Sequence, residues 1–267
     1  MKIVQFVSEE GKCCHGVIKS IEDKTALLIE GNIFQKYIVT ERKTGIKKIL
    51  PPVYPPNILA IGLNYKKHAD ETGTSYPEIP VAFLKGTNTV IAHNDTIMLP
   101  RIGPDEVDWE AELGIIIGKR AKNIPVEKAI DYILGYCCAN DVSARDWQIE
   151  KQKKQWARGK SFDTFCPLGP YIVTRDEIPE PNKLRIQAII NNKILQDSNT
   201  SDMIFNVPTI VSNLSQSMTL LPGTVILTGT PEGVGFIRKP PLFLQDGDVV
   251  RIVIEAIGEL CNPVAKE

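Results

Sequence analysis

The chain of 267 residues lacks a long hydrophobic run, an excess of charge of either sign, and the paired cysteine spacings typical of metal sites. No apolar run approaches the ~20 residues needed to span a bilayer, so we expect no membrane partner. Lysine and arginine total 31 and aspartate and glutamate total 32, a balance that gives no sign of nucleic-acid binding. Four of the six cysteines form the adjacent pairs Cys13-Cys14 and Cys137-Cys138, whose geometry rarely suits a disulfide. We therefore expect reduced thiols and a cytoplasmic location.

A proline-rich segment divides the sequence into two predicted domains. Residues 51–56 contain four prolines, which cannot continue a helix or a central strand. Residues 1–50 alternate short apolar runs with polar turns, which predicts a small N-terminal β-rich domain, and residues 51–267 are predicted to form the larger second domain. Predicted strands outnumber helices, and the regular strand–helix alternation of a Rossmann sheet or TIM barrel is missing. The expected fold class is α+β, strand-rich.

The most informative segment, residues 108–117, places two glutamates two residues apart at the head of a β-branched run. Side chains alternate faces along a strand, so Glu110 and Glu112 would project together. Asp141 follows a second apolar run and could complete an all-oxygen site for a hard cation such as Mg²⁺. Ordinary acids on an exposed edge strand give the same spacing, so both interpretations stay open on this pattern alone. Since no histidine or cysteine accompanies these acids, zinc is disfavoured.

A strand over residues 58–62 and a short helix over about residues 65–72 are predicted next to each other, with Asn64 capping the helix and Gly73 ending it. On this helix His68 and Glu71 are three residues apart and point the same way. A carboxylate bonded to an imidazole fixes its tautomer and raises its basicity, which makes a plausible general base; an ordinary surface pair is the alternative. Similar signals predict elements at four other places: a helix from Pro125, a helix from Pro208, and hairpin turns at Asn191-Asn192 and Asp246-Gly247.

Cationic and loop residues supply further candidates. Arg145 can clamp a carboxylate through two parallel hydrogen bonds, and Lys160 offers a compact cation for a developing enolate or oxyanion. The loop over residues 227–235 lacks the features of a phosphate-binding or dinucleotide-binding loop, so we expect it to present the Thr230 hydroxyl and backbone N–H groups to an anionic ligand. The basic run of Lys151, Lys153, Lys154 and Arg158 is interpreted as a solvated helix face in preference to a binding patch.

Taken in order, these segments resemble the fumarylacetoacetate hydrolase family over about residues 55–262. The similarity rests on several separate motifs in a fixed order: residues 61–65 with His68 and Glu71, residues 83–85, 108–114, 140–146, 159–169 and 227–235. Residues 141–148, 160–170 and 238–241 are most similar to the branch of the family that contains oxaloacetate enol–keto tautomerases.

The resemblance implies a fold, an assembly and roles for particular residues. It implies a mixed β-roll behind a small N-terminal β domain, usually in a homodimer, and a mitochondrial matrix location if the chain is the mature form of a eukaryotic member. Its implied site residues fall into three groups: Glu110, Glu112 and Asp141 as ligands of Mg²⁺ or Mn²⁺; His68, Glu71 and Lys160 as catalytic residues; Arg145, Gln148 and Thr230 as substrate-binding residues.

The implied activity is that of a Mg²⁺-dependent enzyme acting on a small-molecule 2-oxo acid through a stabilised enolate, with oxaloacetate enol–keto tautomerisation as the first expectation. Three alternatives share this chemistry: C–C bond hydrolysis of acylpyruvate or fumarylacetoacetate-type substrates, oxaloacetate decarboxylation, and isomerisation of hydroxymuconate-type diacids. Outside enzymes, a catalytically idle metabolite-binding protein remains an alternative.

Overall fold

The computed structural model describes residues 1–267, and strands dominate it. The strands are β1 (Lys2–Ser8), β2 (Cys13–Ile18), β3 (Thr25–Gly31), β4 (Tyr37–Ile49), β5 (Ile58–Gly62), β6 (Val81–Lys85), β7 (Val90–Ile91), β8 (Ile97–Leu99), β9 (Val107–Asp108), β10 (Ala111–Ile117), β11 (Ile133–Asn140), β12 (Ser143–Ala144), β13 (Cys166–Thr174), β14 (Arg185–Ile190), β15 (Lys193–Asn199), β16 (Val225–Leu227), β17 (Val249–Ile254) and β18 (Gly258–Lys266). The α-helices are α1 (Lys66–Thr72), α2 (Trp156–Gly159) and α3 (Val207–Ser217). A π-helix covers Asp146–Lys151, and 3₁₀ turns cover Thr87–Thr89, Val126–Tyr132, Arg175–Glu177 and Thr200–Asp202. The predicted strand-rich α+β class is confirmed.

Two large sheets face each other across the main core. The first has eleven strands in the order β2-β3-β4-β1-β13-β11-β10-β16-β5-β6, with β7 beside β13. The second has the order β15-β14-β17-β18-β8, and β9 pairs with β12. Leu113 and Ile115 of β10 lie in one buried cluster with Ile186 of β14 and Ile252 of β17, so apolar burial joins the sheets. No helix in the structure has both the length and the apolar character needed to cross a membrane.

The four N-terminal strands close on themselves. Strand β1 pairs with both β2 and β4, which completes a ring of β1 to β4. The first residues of β1 also pair with β13, with Lys2 opposite Val173 and Ile3 opposite Ile172. The division into domains of residues 1–50 and 51–267 stays a prediction. The backbone hydrogen bonds between β1 and β13 would cross the boundary between these two domains.

Pairing between β10 and β11 brings the acidic residues together. Every residue of β10 is buried, and the strand pairs with β11 on one side and β16 on the other, which explains why its sequence is apolar on both faces apart from Glu112. The antiparallel register sets Ala111 opposite Asn140, so the start of β10 lies beside the end of β11. The Asp141 N–H then donates to the Glu110 carbonyl oxygen at 3.0 Å. Glu110 and Asp141, which are 31 positions apart in sequence, thus become neighbours.

Helix α1 follows β5 as predicted and ends at Gly73, whose φ of 65° is the left-handed conformation that glycine adopts easily. The prediction that Asn64 caps the helix is wrong, because Tyr65 occupies that position without a side-chain hydrogen bond. The Asn64 side chain instead exchanges hydrogen bonds with the main chain of Phe205 and donates to the Thr228 carbonyl. It therefore anchors the start of α1 to two distant segments.

The other local predictions have mixed outcomes. Helix α3 begins at Val207 with Pro208 in its first turn, and Asn191 and Asn192 both have positive φ between β14 and β15, as predicted. After Pro125 the chain forms only the 3₁₀ turn Val126–Tyr132, not an α-helix. The prediction of a hairpin at residues 246–247 is wrong, because the segments on either side of this turn do not pair with each other. The N–H of Leu244 donates to the Val107 carbonyl, and β17 pairs with β18.

Candidate active site

The main cleft has a volume of about 420 Å³. It is lined by the end of β5, helix α1, the segment from Arg145 to Lys160, the residue before β10 and the loop after β16. Seven of the nine predicted site residues line it. The two that do not, Glu71 and Glu112, lie directly behind residues that do. The fold therefore gathers the predicted residues at one place.

Three buried carboxylates form the floor. The side chains of Glu110, Glu112 and Asp141 offer oxygen atoms that all lie within 4.8 Å of one another, and Glu112 and Asp141 are each only 1% exposed. Glu110 precedes β10 instead of belonging to it, yet its carboxylate still converges with that of Glu112. A donor set made only of carboxylate oxygens suits a hard cation such as Mg²⁺ or Mn²⁺.

Lysines neutralise two of the three acids. The Lys160 ammonium donates to Glu110 at 2.9 Å, to Asp141 at 2.7 Å and to the Ser143 hydroxyl at 2.7 Å. Lys85, whose side chain is completely buried, donates to the other oxygen of Asp141 at 2.5 Å. Sequence reasoning gave Lys85 no role, although it lies in one of the family-like segments; only the tertiary structure reveals its partner.

The third acid has no cation. The carboxylate of Glu112 accepts one hydrogen bond, from the Gly229 N–H at 2.6 Å. Burial first, and then the charges of Asp141 and Glu110, raise the pKa of Glu112 well above its ordinary value. For Glu110, burial acts the same way, but Lys160 and Arg145 lower the pKa to about 2. A divalent cation beside Glu112 would supply the missing charge, so these residues fit the predicted metal.

Arg145 is held rigidly at the edge of the floor. Its guanidinium donates to Asp108 at 2.9 Å, to Glu110 at 2.7 Å and to the Gln148 side chain at 2.8 Å, and the ring of Phe236 lies 4.4 Å away. Asp108 is fully buried and also accepts main-chain N–H groups from residues 235 and 236. Asp108 was missed as a site residue because its burial and its arginine partner, 37 positions away, are tertiary facts.

The histidine–glutamate pair on α1 has the predicted geometry. His68 Nδ1 lies 2.8 Å from Glu71 Oε1. Both oxygens of Glu71 also accept the Gly233 N–H, at 3.1 and 3.2 Å. With Nδ1 bonded to a carboxylate, Nε2 is the imidazole nitrogen left to act in the cleft that His68 lines.

The glycine-rich loop over residues 227–235 does donate main-chain N–H groups to carboxylates, but these carboxylates are side chains of the protein itself. Gly229, Gly233 and Gly235 donate their N–H groups to Glu112, Glu71 and Asp108, so the prediction that these groups face a ligand is wrong. The physical reason is that carboxylates withdrawn from water need several donors, and their side-chain partners, Arg145 for Asp108 and His68 for Glu71, supply only some of them. Thr230 lines the cleft as predicted, and its hydroxyl accepts the Gln196 side-chain amide at 2.9 Å.

One exposed lysine also reaches the cleft. Lys154 follows the π-helix in a left-handed conformation, with φ 65°, and lines the mouth without an ion pair or side-chain hydrogen bond. The solvated-face interpretation fits Lys151, which pairs with Asp146 at 2.5 Å, but is incomplete for Lys154. The spacing of the basic run carries no signal that separates these two lysines.

Comparison with known proteins gives one family. Residues 57–265 match the family described as Fumarylacetoacetate (FAA) hydrolase C-terminal. A Dictyostelium discoideum protein named Fumarylacetoacetate hydrolase domain-containing protein 2 homolog is 48% identical over 81% of this chain and 74% of its own length. The Xenopus laevis protein named Oxaloacetate tautomerase fahd2, mitochondrial, is 47% identical over 83% of this chain and 69% of its own length.

Solved structures agree over the whole chain. A crystal structure described as 5-carboxymethyl-2-hydroxymuconate delta-isomerase from Mycobacterium smegmatis superposes with a TM-score of 0.88 and 38% identity, and covers 100% of both chains. One described as 2-hydroxyhepta-2,4-diene-1,7-dioate isomerase from Mycobacterium marinum has a TM-score of 0.86 and 38% identity, and covers 100% of this chain and 99% of its own. The likeness includes the four N-terminal strands, which lie outside the family match.

Proposed function

The chain belongs to the fumarylacetoacetate hydrolase family, and we propose that it is a divalent-metal-dependent enzyme that interconverts the enol and keto forms of oxaloacetate. The observation that carries the proposal is the single cleft in which three buried carboxylates, two cationic side chains and a histidine–glutamate pair converge. The expectation of a tautomerase is supported by relatives with that name, and the expectation of an enzyme of this family is confirmed.

Substrate binding follows from the cations at the floor. We assign the 1-carboxylate of the 2-oxo acid to Arg145 and Gln148, because both side chains line the cleft beside the three carboxylates and the Arg145 guanidinium carries a positive charge. Arg145 is 3% exposed and braced by Asp108, so it is already oriented before substrate arrives. The Thr230 hydroxyl lies on the same cleft and supplies a further polar contact.

Proton transfer is assigned to the pair on α1. In the keto-to-enol direction, His68 Nε2 removes a proton from C3 of the substrate while Glu71 stabilises the imidazolium through Nδ1–H; the reverse step returns the proton to C3. Lys160, already charged by its acidic partners, stabilises the negative charge that develops on oxygen. The metal would be held by Glu110, Glu112 and Asp141 and, when bound, supplies Lewis-acid stabilisation of the enolate.

The mouth of the cleft favours a substrate with a second negative charge. Besides Arg145 and Lys160, the cleft is lined by the apolar side chains of Phe83 and Trp156, whose rings meet edge to face at 5.6 Å, and by the exposed Lys154. A molecule with a carboxylate at each end and carbon between them complements this combination of cationic and apolar groups. The Lys154 ammonium is the group we assign to the distal carboxylate, which distinguishes diacids from acylpyruvates with neutral tails.

The volume of the cleft supports a second candidate. About 420 Å³ exceeds what a four-carbon diacid fills, so a longer enolisable diacid also fits. The two mycobacterial structures that superpose on this chain are named for isomerases of such diacids. Isomerisation of a hydroxymuconate-type diacid uses the same enolate and the same His68 proton transfer.

A substrate panel tests these assignments. With Mg²⁺ or Mn²⁺ present, the absorbance of enol-oxaloacetate should decay faster with the protein than in buffer, and the His68→Ala variant should abolish the difference. Parallel assays follow decarboxylation of oxaloacetate, cleavage of acylpyruvates and fumarylacetoacetate, and isomerisation of hydroxymuconate-type diacids. No acceleration of ketonisation, together with cleavage of an acylpyruvate, would contradict the proposal and favour a C–C hydrolase in which the same pair activates water.

Assembly and location remain proposals. We propose a homodimer, as the family resemblance implies, and light scattering on the purified protein would measure its mass. The cytoplasmic location is proposed from the reduced cysteines; the Xenopus laevis relative carries the word mitochondrial in its name. Fractionation of the source cells distinguishes the two compartments.

A further inference from the structure

Arg238 lies in a segment that resembles the tautomerase branch, yet the proposed function gives it no task. It is half-buried and forms no ion pair with any acid. Its Nη2 nitrogen instead donates to two main-chain carbonyls, that of Leu195 at 2.5 Å and that of Gly233 at 3.0 Å. Because the same guanidinium donates hydrogen bonds to both carbonyls, it holds together the two backbone segments that carry them.

Gly233 is also the residue that holds the catalytic glutamate. Its N–H donates to both oxygens of Glu71 at 3.1 and 3.2 Å, and Glu71 in turn bonds His68 at 2.8 Å. Gly233 has φ of 95°, and a Cβ atom there would lie 2.3 Å from the Leu195 oxygen. The loop therefore packs against β15 so closely that only glycine fits.

We propose that Arg238 is a positioning residue that sets the His68–Glu71 pair by clamping Gly233 against β15. The clamp aims the Gly233 N–H at Glu71 and thereby fixes the direction in which Glu71 accepts the imidazole proton. The proposal rests on the proposed function only in giving this pair its proton-transfer role. The hydrogen-bonded path from Arg238 to His68 is independent of the substrate.

A second clamp on the same loop shows why the arginine has a separate task. The Gln196 side chain, also on β15, donates to the Thr230 hydroxyl at 2.9 Å and to the Pro231 carbonyl at 2.8 Å. It holds the half of the loop next to the cleft floor. Arg238 holds the half next to α1, so its loss should disturb the pair and spare the floor.

Kinetics give the first expected result. Arg238→Met removes the two hydrogen bonds to main-chain carbonyls, so the Gly233 N–H is no longer held against Glu71. We expect kcat to fall about tenfold, the scale usual for loss of an orienting partner. KM should stay within about twofold, since the cations at the floor keep their contacts. Lys239→Met is the matched control, because Lys239 is exposed and contacts none of these groups; its kcat should equal that of the wild type.

Nitrogen-15 NMR of the imidazoles gives a readout that does not need turnover. The chain has three histidines, so spectra of histidine-labelled protein are simple, and His68→Ala identifies the His68 signals. In the wild type, His68 should hold one tautomer with hydrogen on Nδ1. In Arg238→Met its two nitrogen shifts should move toward averaged values, while those of His15 and His93 stay unchanged.

Further outcomes decide the proposal even if the first variant folds poorly. Arg238→Lys keeps the charge but not the planar fork, so it should show an intermediate kcat and His68 shifts between those of wild type and Arg238→Met. Millimolar guanidinium added to Arg238→Met should restore part of kcat. His68 shifts identical to wild type in either variant would overturn the proposal, even if the wild type proved inactive on every 2-oxo acid tested.

Discussion

The carboxylate floor and the histidine–glutamate pair belong to one cleft and are held in different ways. At the floor, Glu110 and Asp141 are buried and are neutralised by charged side chains from distant parts of the chain, Lys85, Lys160 and Arg145. The pair sits on the seven-residue helix α1, where Glu71 is half-buried and its outer partner is a main-chain N–H.

The carboxylates are held by charged side chains and the histidine–glutamate pair by a main-chain N–H, and each arrangement suits the chemistry of the group that it holds. Buried carboxylates repel one another, so their positions require compensating charge, and the uncompensated Glu112 marks where a metal cation would complete the balance. A general base needs direction more than charge, and a main-chain N–H supplies direction without adding a full positive charge beside the imidazole. Changes at the floor should therefore affect metal binding or stability as well as turnover, and changes at α1 should affect turnover alone.

Removal of the metal should have the largest effect. Because the enolate loses several kcal/mol of stabilisation, exhaustive treatment with EDTA should lower kcat on the order of a thousandfold or more. Added Mg²⁺ or Mn²⁺ should restore it. Glu112→Gln should show the same loss and should bind the ion more weakly by calorimetry. Full activity after EDTA treatment would remove the metal from the proposal.

Loss of the imidazole should separate the two regions most clearly. His68→Ala should lower turnover between about a hundredfold and ten-thousandfold, the range for a general base. Metal affinity by calorimetry should match the wild type, because the three carboxylates hold the metal and His68 is not one of its ligands. Turnover near the wild-type rate would show that the pair on α1 is not the base.

Loss of a buried lysine should act on stability. Lys85→Met leaves Asp141, whose side chain is only 1% exposed, with one fewer cationic partner, which should cost about 3 kcal/mol of unfolding free energy. Denaturant unfolding monitored by fluorescence measures this cost. Lys12→Met is the control, because Lys12 pairs with Glu10 in an exposed ion pair and should show no measurable change. Equal midpoints for both variants would contradict the neutralising role of Lys85.

The smallest effect is expected at the mouth. Lys154→Met should raise KM for oxaloacetate about three- to fivefold through loss of one exposed charge contact, with kcat nearly unchanged. Lys153→Met is the matched control, since it lies in the same turn, also has positive φ, and does not line the cleft. A KM equal to the wild type in Lys154→Met would show that the distal carboxylate binds elsewhere.

Local sequence signals predicted much of the secondary structure correctly. The strand over residues 58–62, the end of α1 at Gly73 and the turn at Asn191-Asn192 follow from β-branched runs and from residues that accept positive φ. Asn64 was misjudged because a capping residue looks the same in sequence as one that bonds a distant backbone. The expected hairpin at residues 246–247 failed because segment 243–245 meets β9 instead of β17.

The sequence by itself determined the family, the strand-rich fold class and the nine candidate residues, because these depend on residue types in a fixed order. Only the tertiary structure decided which charges neutralise which. The roles of Lys85, Asp108 and Arg238 come from partners between 37 and 56 positions away, or through a main-chain carbonyl, and no local pattern encodes those pairings. The physical reason is burial: it makes an unpaired charge costly, and which charges are buried together depends on the packing of the whole chain.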